Sequence, residues 1–247
     1  MSRLLLLALL AAAVGSGVGA PAASAGTECE GLPECIRVVG PWVSVPVGPT
    51  PTYFRVQCPG PGQTVGGLDA DFPRSGGGVD VTFLGALGGP VGPGITTGRD
   101  VVFVASATRQ RAGTFRPLLG CIPASGGGGR SRTSYEPTRR LAAVARPAAL
   151  GSMLSAAPGP TLTRRVKTVQ LRDGARQSIS HSCRRTERLL SFSTALAFRT
   201  RTAPSAAQLA AIRASARRVD GRVLVTVRGR PTAGVRIELQ IHAVCVK

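Results

Sequence analysis

Two aspartates, two histidines and a series of paired arginines are the side chains whose types and spacing could do chemistry in this chain. Asp69 and Asp71 lie two apart. On a strand that spacing puts both carboxylates on one face, roughly 7 Å from each other. Such a separation suits the paired carboxylates of glycoside hydrolysis, and it also suits a calcium site. The local run Gly66-Gly67-Leu68-Asp69-Ala70-Asp71 reads equally as a solvated turn, and the turn is the expectation adopted. Glu28, Glu30 and Glu34 receive the same reading as solvated loop residues. His181-x-Cys183 and His242-x-x-Cys245 could be assembled into a two-Cys, two-His zinc site. The second spacing puts its two residues on opposite faces of a strand, so the four ligands would not converge. Nucleophilic hydrolysis needs a base beside the nucleophile. Only two histidines are present and no Gly-x-Ser-x-Gly run occurs. The expectation is a protein that is not an enzyme and carries neither metal nor cofactor.

The arginines are the stronger signal. Arg130, Arg132, Arg139, Arg140, Arg164, Arg165, Arg184, Arg185, Arg188, Arg217 and Arg218 recur in close pairs. Planar guanidinium forks match phosphate and carboxylate oxygens. From Gly26 to Pro123 seven arginines balance seven acidic residues. From Ala124 to Lys247, 23 basic residues face five acidic ones, a balance of +18. The predicted anion-binding set is Arg164, Arg165, Arg184, Arg185, Arg188, Arg217 and Arg218; the competing reading is a solvated basic surface with no dedicated partner. Specific nucleic-acid reading is not expected, because Phe192 and Phe198 are the only aromatics after Tyr135 and cannot make a stacking platform.

These residues must be held by elements that the cysteines and the hydrophobic pattern define. An apolar run from Leu4 to Val14, followed by small residues ending in Ala23-Ser24-Ala25, reads as an export signal over residues 1–25. It is about half the roughly 20 residues needed to span a bilayer, and no later span is expected. Six cysteines in an exported chain are read as disulfides. Cys58 and Cys121 are 63 positions apart, Cys183 and Cys245 are 62 apart, and Cys29 and Cys35 only six. The matched intervals predict Cys29–Cys35, Cys58–Cys121 and Cys183–Cys245. Residues 124–160, rich in Gly, Ser, Ala, Pro and Arg, read as a flexible linker with a span on the order of 30 Å.

Each half repeats one plan: a strand into its first cysteine, an apolar stretch, a β-branched strand, and a last strand carrying the closing cysteine. In the final strand Ile237, Leu239, Ile241, Ala243 and Cys245 alternate with Arg236, Glu238, Gln240 and His242, the period of a half-buried strand. His242 is thereby placed on the outward face, and His181, which shares parity with Cys183, near the staple. Asp220-Gly221 signals a type I′ hairpin joining strands at about Arg213–Val219 and Arg222–Arg228. Ser205 and Gln208 suggest a capping box and a short helix over Ser205–Ala211; a helix running to Arg218 competes with it. The expected fold is all-β: two small antiparallel β-sandwiches in tandem, residues 26–123 and 161–247, each with one intradomain disulfide.

Cys58-Pro59-Gly60 with Gly66-Gly67, and the closing Ile241-His242-Ala243-Val244-Cys245, resemble uncharacterised secreted proteins of high-GC Gram-positive bacteria that carry Cys-paired β-sandwich repeats. The second half departs from that pattern, with Arg184-Arg185 in place of Pro-Gly and Ser191-Phe192 in place of the glycines. The resemblance implies a compartment and a fold, and no activity. The function expected is a non-enzymatic secreted module, extracellular or cell-wall associated, that adheres electrostatically to anionic envelope polymers. The alternative is a secreted inhibitor or effector that engages a protein partner through the loops of the first half.

Overall fold

The computed structural model describes residues 27–32, 34–73, 78–84, 98–108, 111–124, 162–172 and 176–247. The export signal over residues 1–25, the linker after Ala124, and Arg130, Arg132, Arg139 and Arg140 lie outside them. The first half forms β1 (Ile36–Val39), β2 (Trp42–Val45), β3 (Thr52–Gln57), β4 (Gln63–Asp71), β5 (Val79–Leu84), β6 (Asp100–Ala107) and β7 (Gly113–Pro123) after a single 3-10 turn at Thr27–Cys29. The second half forms β8 (Leu162–Gln170), β9 (Arg176–Ser182), β10 (Arg188–Arg199), a short helix α1 (Ala206–Ala210), β11 (Ile212–Val219), β12 (Arg222–Gly229) and β13 (Arg236–Val246). The fold is all-β with antiparallel pairing, as expected.

The halves are not held apart. One sheet runs through both in the order β1-β7-β2-β10-β13-β8, with β4 also paired to β7. The join is β2 against β10, Val43 opposite Ala197 and Trp42 opposite Phe198. Two three-stranded sheets flank it, β3-β6-β5 from the first half and β11-β12-β9 from the second. Because successive side chains on a strand point to opposite faces, β10 and β13 serve both layers. Ala195 and Ala197 on one face of β10 join the core of Phe54, Phe103, Phe115 and Leu119. On the other face Phe198, with Ile237, Leu239 and Ile241 of β13, packs with Val223, Val225 and Val227. Each fully buried Phe, Leu or Ile of these layers contributes on the order of 1.5–3 kcal/mol.

Polar contacts also cross between the halves. The Gln240 amide takes the place of a strand partner for Arg55, its Oε1 accepting from the Arg55 N–H at 2.8 Å and its Nε2 donating to the Arg55 carbonyl at 2.9 Å. Arg116 donates to Asp71 Oδ2 at 2.5 Å and to the Arg201 carbonyl at 3.3 Å, with its guanidinium over the Trp42 ring.

All three expected disulfides are formed, with Cα–Cα distances of 5.6, 5.8 and 5.7 Å for Cys29–Cys35, Cys58–Cys121 and Cys183–Cys245. In the chain-entropy account each long loop closure contributes about 4 kcal/mol. The hairpin at Asp220-Gly221 has both residues at positive φ, 47° and 72°, the geometry of a type I′ turn. Ser205 and Gln208 close a reciprocal capping box, and the helix they start ends at Ala210, so the longer helix to Arg218 gives way to β11.

Three local expectations are corrected. The stretch from Gly66 to Asp71 is no turn but part of β4, bulged between Val65 and Gly67 where it pairs with β7. A Cβ at Gly67 or Gly120 would collide with the backbone carbonyl of Glu28. The two glycines therefore clear a seat for the Thr27–Cys35 loop. Glu28 itself is no solvated loop residue: it is 1% exposed and ion-paired to Arg37. His242 does lie on the opposite face of β13 from Cys245, yet it is fully buried, because β3 of the first half covers that face.

Candidate anion-binding surface

The seven arginines predicted from sequence do not form one cluster. Arg165 on β8 is taken up by Glu187, Nε to Oε2 at 2.7 Å and Nη2 to Oε1 at 2.5 Å. That hydrogen-bonded pair raises the Arg165 pKa and holds the Glu187 carboxyl below its ordinary range. Glu187 also accepts the Arg184 amide at 3.0 Å, which fixes the turn after Cys183. Arg218 donates to the Leu190 carbonyl at 2.6 Å. Arg164 stands 4.3 Å above the Tyr53 ring, a cation–π contact, on the face of the sheet turned toward the first half. Arg184, Arg185 and Arg188 are exposed around the turn that leads into β10, and Arg217 is exposed on β11.

Arg217 belongs to a set that the arginine pairs did not reveal. Residues paired across antiparallel strands share a face, so the registers of β11, β12 and β9 lay out the outer side of this sheet in rows. Arg213, Arg228 and Arg176 stand abreast in one row, all exposed. Ser215, Thr226 and Ser178 form the next, then Arg217, Leu224 and Ser180, then Val219, Arg222 and Ser182. Five arginines and five hydroxyl side chains thus occupy twelve positions with no carboxylate among them. The inner positions of the same strands, Val223, Val225 and Val227, are buried, so the sheet is firmly seated while its outer face stays polar. Like charges directly opposite one another destabilise a sheet, and no acidic residue of the face relieves them. Arg176, Arg213, Arg222 and Arg228 went unread in the sequence because none belongs to an arginine doublet. The hairpin register does contain the signal for one pair: a two-residue turn at 220–221 forces Arg213 opposite Arg228.

The other candidate constellations are structurally occupied. Cys183, Cys245 and Glu187 approach one another closely enough for a metal, but the two sulfurs are bonded to each other and Glu187 is held by Arg165. Asp69 Oδ2 accepts from the Thr27 backbone N–H at 2.9 Å and tethers the N-terminal turn, while Asp71 is paired with Arg116. His181 Nε2 lies 3.2 Å from the Arg165 carbonyl, and His242 Nε2 lies 3.1 Å from Gln240 Oε1. Burial pushes the pKa of both histidines down, that of His242 most strongly, with nearby Arg164 and Arg55 adding to the effect. Asp100, buried beside Arg55, has its carboxyl pushed up by desolvation.

The fold and this surface define a disulfide-stapled β-protein with a one-sided cationic sheet. Comparison of the chain with protein-family models, with curated proteins and with solved structures finds no match in any of the three. No helix among the described residues is long and apolar enough to cross a membrane.

Proposed function

We propose that the protein is a secreted, non-enzymatic module that adheres to anionic polymers of the cell envelope through the outer face of β11-β12-β9. The observation that carries this reading is the row Arg213, Arg228 and Arg176, flanked by Ser215, Thr226 and Ser178 and lacking any acidic neighbour on the face. A flat face of forks and hydroxyls suits a repeating phosphate or carboxylate, since each guanidinium can grip two oxygens. Arg184, Arg185 and Arg188, exposed at the sheet's neighbouring turn, extend the positive field without being its centre. The three disulfides suit an oxidising compartment.

The test is retention of the oxidised full-length mature chain on an immobilised polyglycerol phosphate. The triple substitution Arg176→Ser, Arg213→Ser and Arg228→Ser is expected to weaken retention at least tenfold at 0.1 M salt while leaving the thermal melt within a few degrees. Retention of the parent protein is expected to vanish near 1 M salt, where the Debye length is about 3 Å. Unchanged retention by the triple variant, or retention that survives 1 M salt, would sink the proposal.

A further inference from the structure

Two sheet faces that take no part in the arginine surface meet beside β8 and leave a cleft of about 420 Å³ between them. Small-molecule sites typically enclose roughly 300–1,000 Å³. One wall is the face of β3-β6-β5 turned away from Phe54 and Phe103, with Tyr53 opposite Val104 and with Leu84 on β5. The other wall is the face of β8 and β13 on which Arg164 stands opposite Val244, with Leu162 two positions along from Arg164. No acidic residue lines the space. His242 borders it but is fully buried and out of a ligand's reach.

Two independent features point to what the cleft takes. The first is a cation. The Arg164 guanidinium stands 4.3 Å from the centre of the Tyr53 ring, so the charge is fixed at the cleft wall. Arg164 is only half-buried, and it has no carboxylate partner among the described residues. A charge set in apolar surroundings favours an opposite charge more strongly than one in bulk water does. The second is an apolar rim. The pairing of β10 with β13 shifts between Leu189 and Ser191, which makes Leu190 the extra residue of a bulge. Bulges re-aim a side chain, and this one leaves Leu190 48% exposed at the edge of the cleft. The bulge is held from the other layer, where Arg218 Nη2 donates to the Leu190 carbonyl at 2.6 Å. A leucine pinned outward beside an apolar cleft offers surface that a hydrocarbon would cover.

We propose that this cleft binds a free, single-chain fatty carboxylate of medium length. Its carboxylate pairs with Arg164, and its chain lies between Val104 and Leu84 on one side and Leu162 on the other, with Leu190 against it at the rim. A single guanidinium presents one fork for two oxygens, which matches one carboxylate; a phosphate dianion would leave a charge uncompensated. The cleft and the polymer-binding face lie on opposite sides of the sheet that contains β13, so each is tested without the other.

The experiment is calorimetric titration of the oxidised full-length mature chain with dodecanoate, octanoate, methyl dodecanoate and dodecyltrimethylammonium, all below their aggregation limits. Dodecanoate is expected to saturate one site and to bind at least tenfold more tightly than the ester. It is expected to exceed octanoate by a similar factor, because the shorter chain covers less of the lining. The cationic probe is expected to show no saturable binding. Arg164→Gln is expected to weaken dodecanoate binding at least tenfold at an unchanged melt, with Arg164→Lys losing less. Leu190→Ser, a change at an exposed position, is expected to weaken it several-fold and decides the matter by itself should Arg164→Gln unfold. The triple variant Arg176→Ser, Arg213→Ser and Arg228→Ser is expected to bind dodecanoate as the parent does, which separates the cleft from capture of an anion by the basic surface. Absence of saturable binding, equal binding of the ester, undiminished affinity in Arg164→Gln or Leu190→Ser, or loss of binding in the triple variant overturns the site.

Discussion

His242 has a neutral, wholly buried imidazole on a strand whose polar alternation points it toward solvent. The covering layer comes from β3, and the Gln240–Arg55 bonds beside it join residues 185 positions apart. Period-two patterning reports which face a side chain takes and not what lies over that face, so Gln240 and His242 were legible in direction and illegible in burial. The burial has a pH consequence. Desolvation holds the folded His242 pKa well below its ordinary 6.5, whereas the unfolded imidazole titrates near that ordinary value. Between the two values the unfolded state binds the extra proton, so stability rises with pH through this window and falls as pH drops from about 6.5. His181, also depressed, adds a smaller slope of the same sign. Urea melts of the parent protein should therefore lose stability steadily between pH 6.5 and 5, and His242→Phe should flatten that loss. Parallel curves for the two proteins would show that His242 is not buried neutral. At Gly67 and Gly120 the constraint is steric. Gly120→Ala should cost about 1–3 kcal/mol by urea denaturation, the range for overpacking, because the Cβ would meet the Glu28 carbonyl.

Elements whose signals are local were read well from the sequence. The Asp220-Gly221 turn and the Ser205–Gln208 box each depend on residues within a few positions of one another, and both are formed as the pattern requires, whereas the alternation of β13 gives its two faces but not their burial, since Gln240 and His242 are buried as well. The run Gly66–Asp71 misled because glycine and aspartate are turn formers in isolation. Here Gly67 serves the close approach of the N-terminal loop, Gly66 makes room for the Ile122 side chain, and the aspartates serve Thr27 and Arg116. The pairing of β9 with β12 has no adjoining turn to announce it, which is why Arg176 could not be placed beside Arg228 from sequence. At the hairpin, Gly221 sits at φ 72°, where an L side chain costs roughly 1–2 kcal/mol. Gly221→Ala should lower the unfolding free energy by that much, read from urea denaturation. It should also weaken polymer retention only at temperatures where β11 and β12 begin to separate. Loss of retention at 10 °C with an unchanged melt would mean that the turn itself touches polymer.

At the scale of the whole molecule, the shared sheet makes the halves interdependent. Matched cysteine intervals point to two similar units, and each long staple does close its own half. Yet the intervals say nothing of how the units meet, and the residues that join them, Ala195, Ala197, Gln240 and Val43 beside the Trp42–Phe198 pair, carry no pattern that sets them apart from ordinary core positions. Ala197 has no exposure and lies opposite Val43 at the join, with its methyl in the first half's core although it belongs to the second half's strand. A carboxylate there would be buried directly across from Glu238, whose partner Arg199 is already engaged, at a cost of several kcal/mol. Ala197→Glu in the full-length protein should therefore destabilise both flanking sheets together. Hydrogen exchange followed by mass spectrometry should show faster exchange in β3 and β6 as well as in β10 and β13, within one cooperative transition. Two separable sandwiches would respond differently: the first half would keep its protection while the second lost its own. Exchange confined to residues 162–247 in the variant would therefore refute a common core. The same experiment fixes how polymer binding and folding are related, since a face seated on a sheet shared by both halves should lose retention when Val43 in the first half is replaced by Asp, although no arginine has been altered.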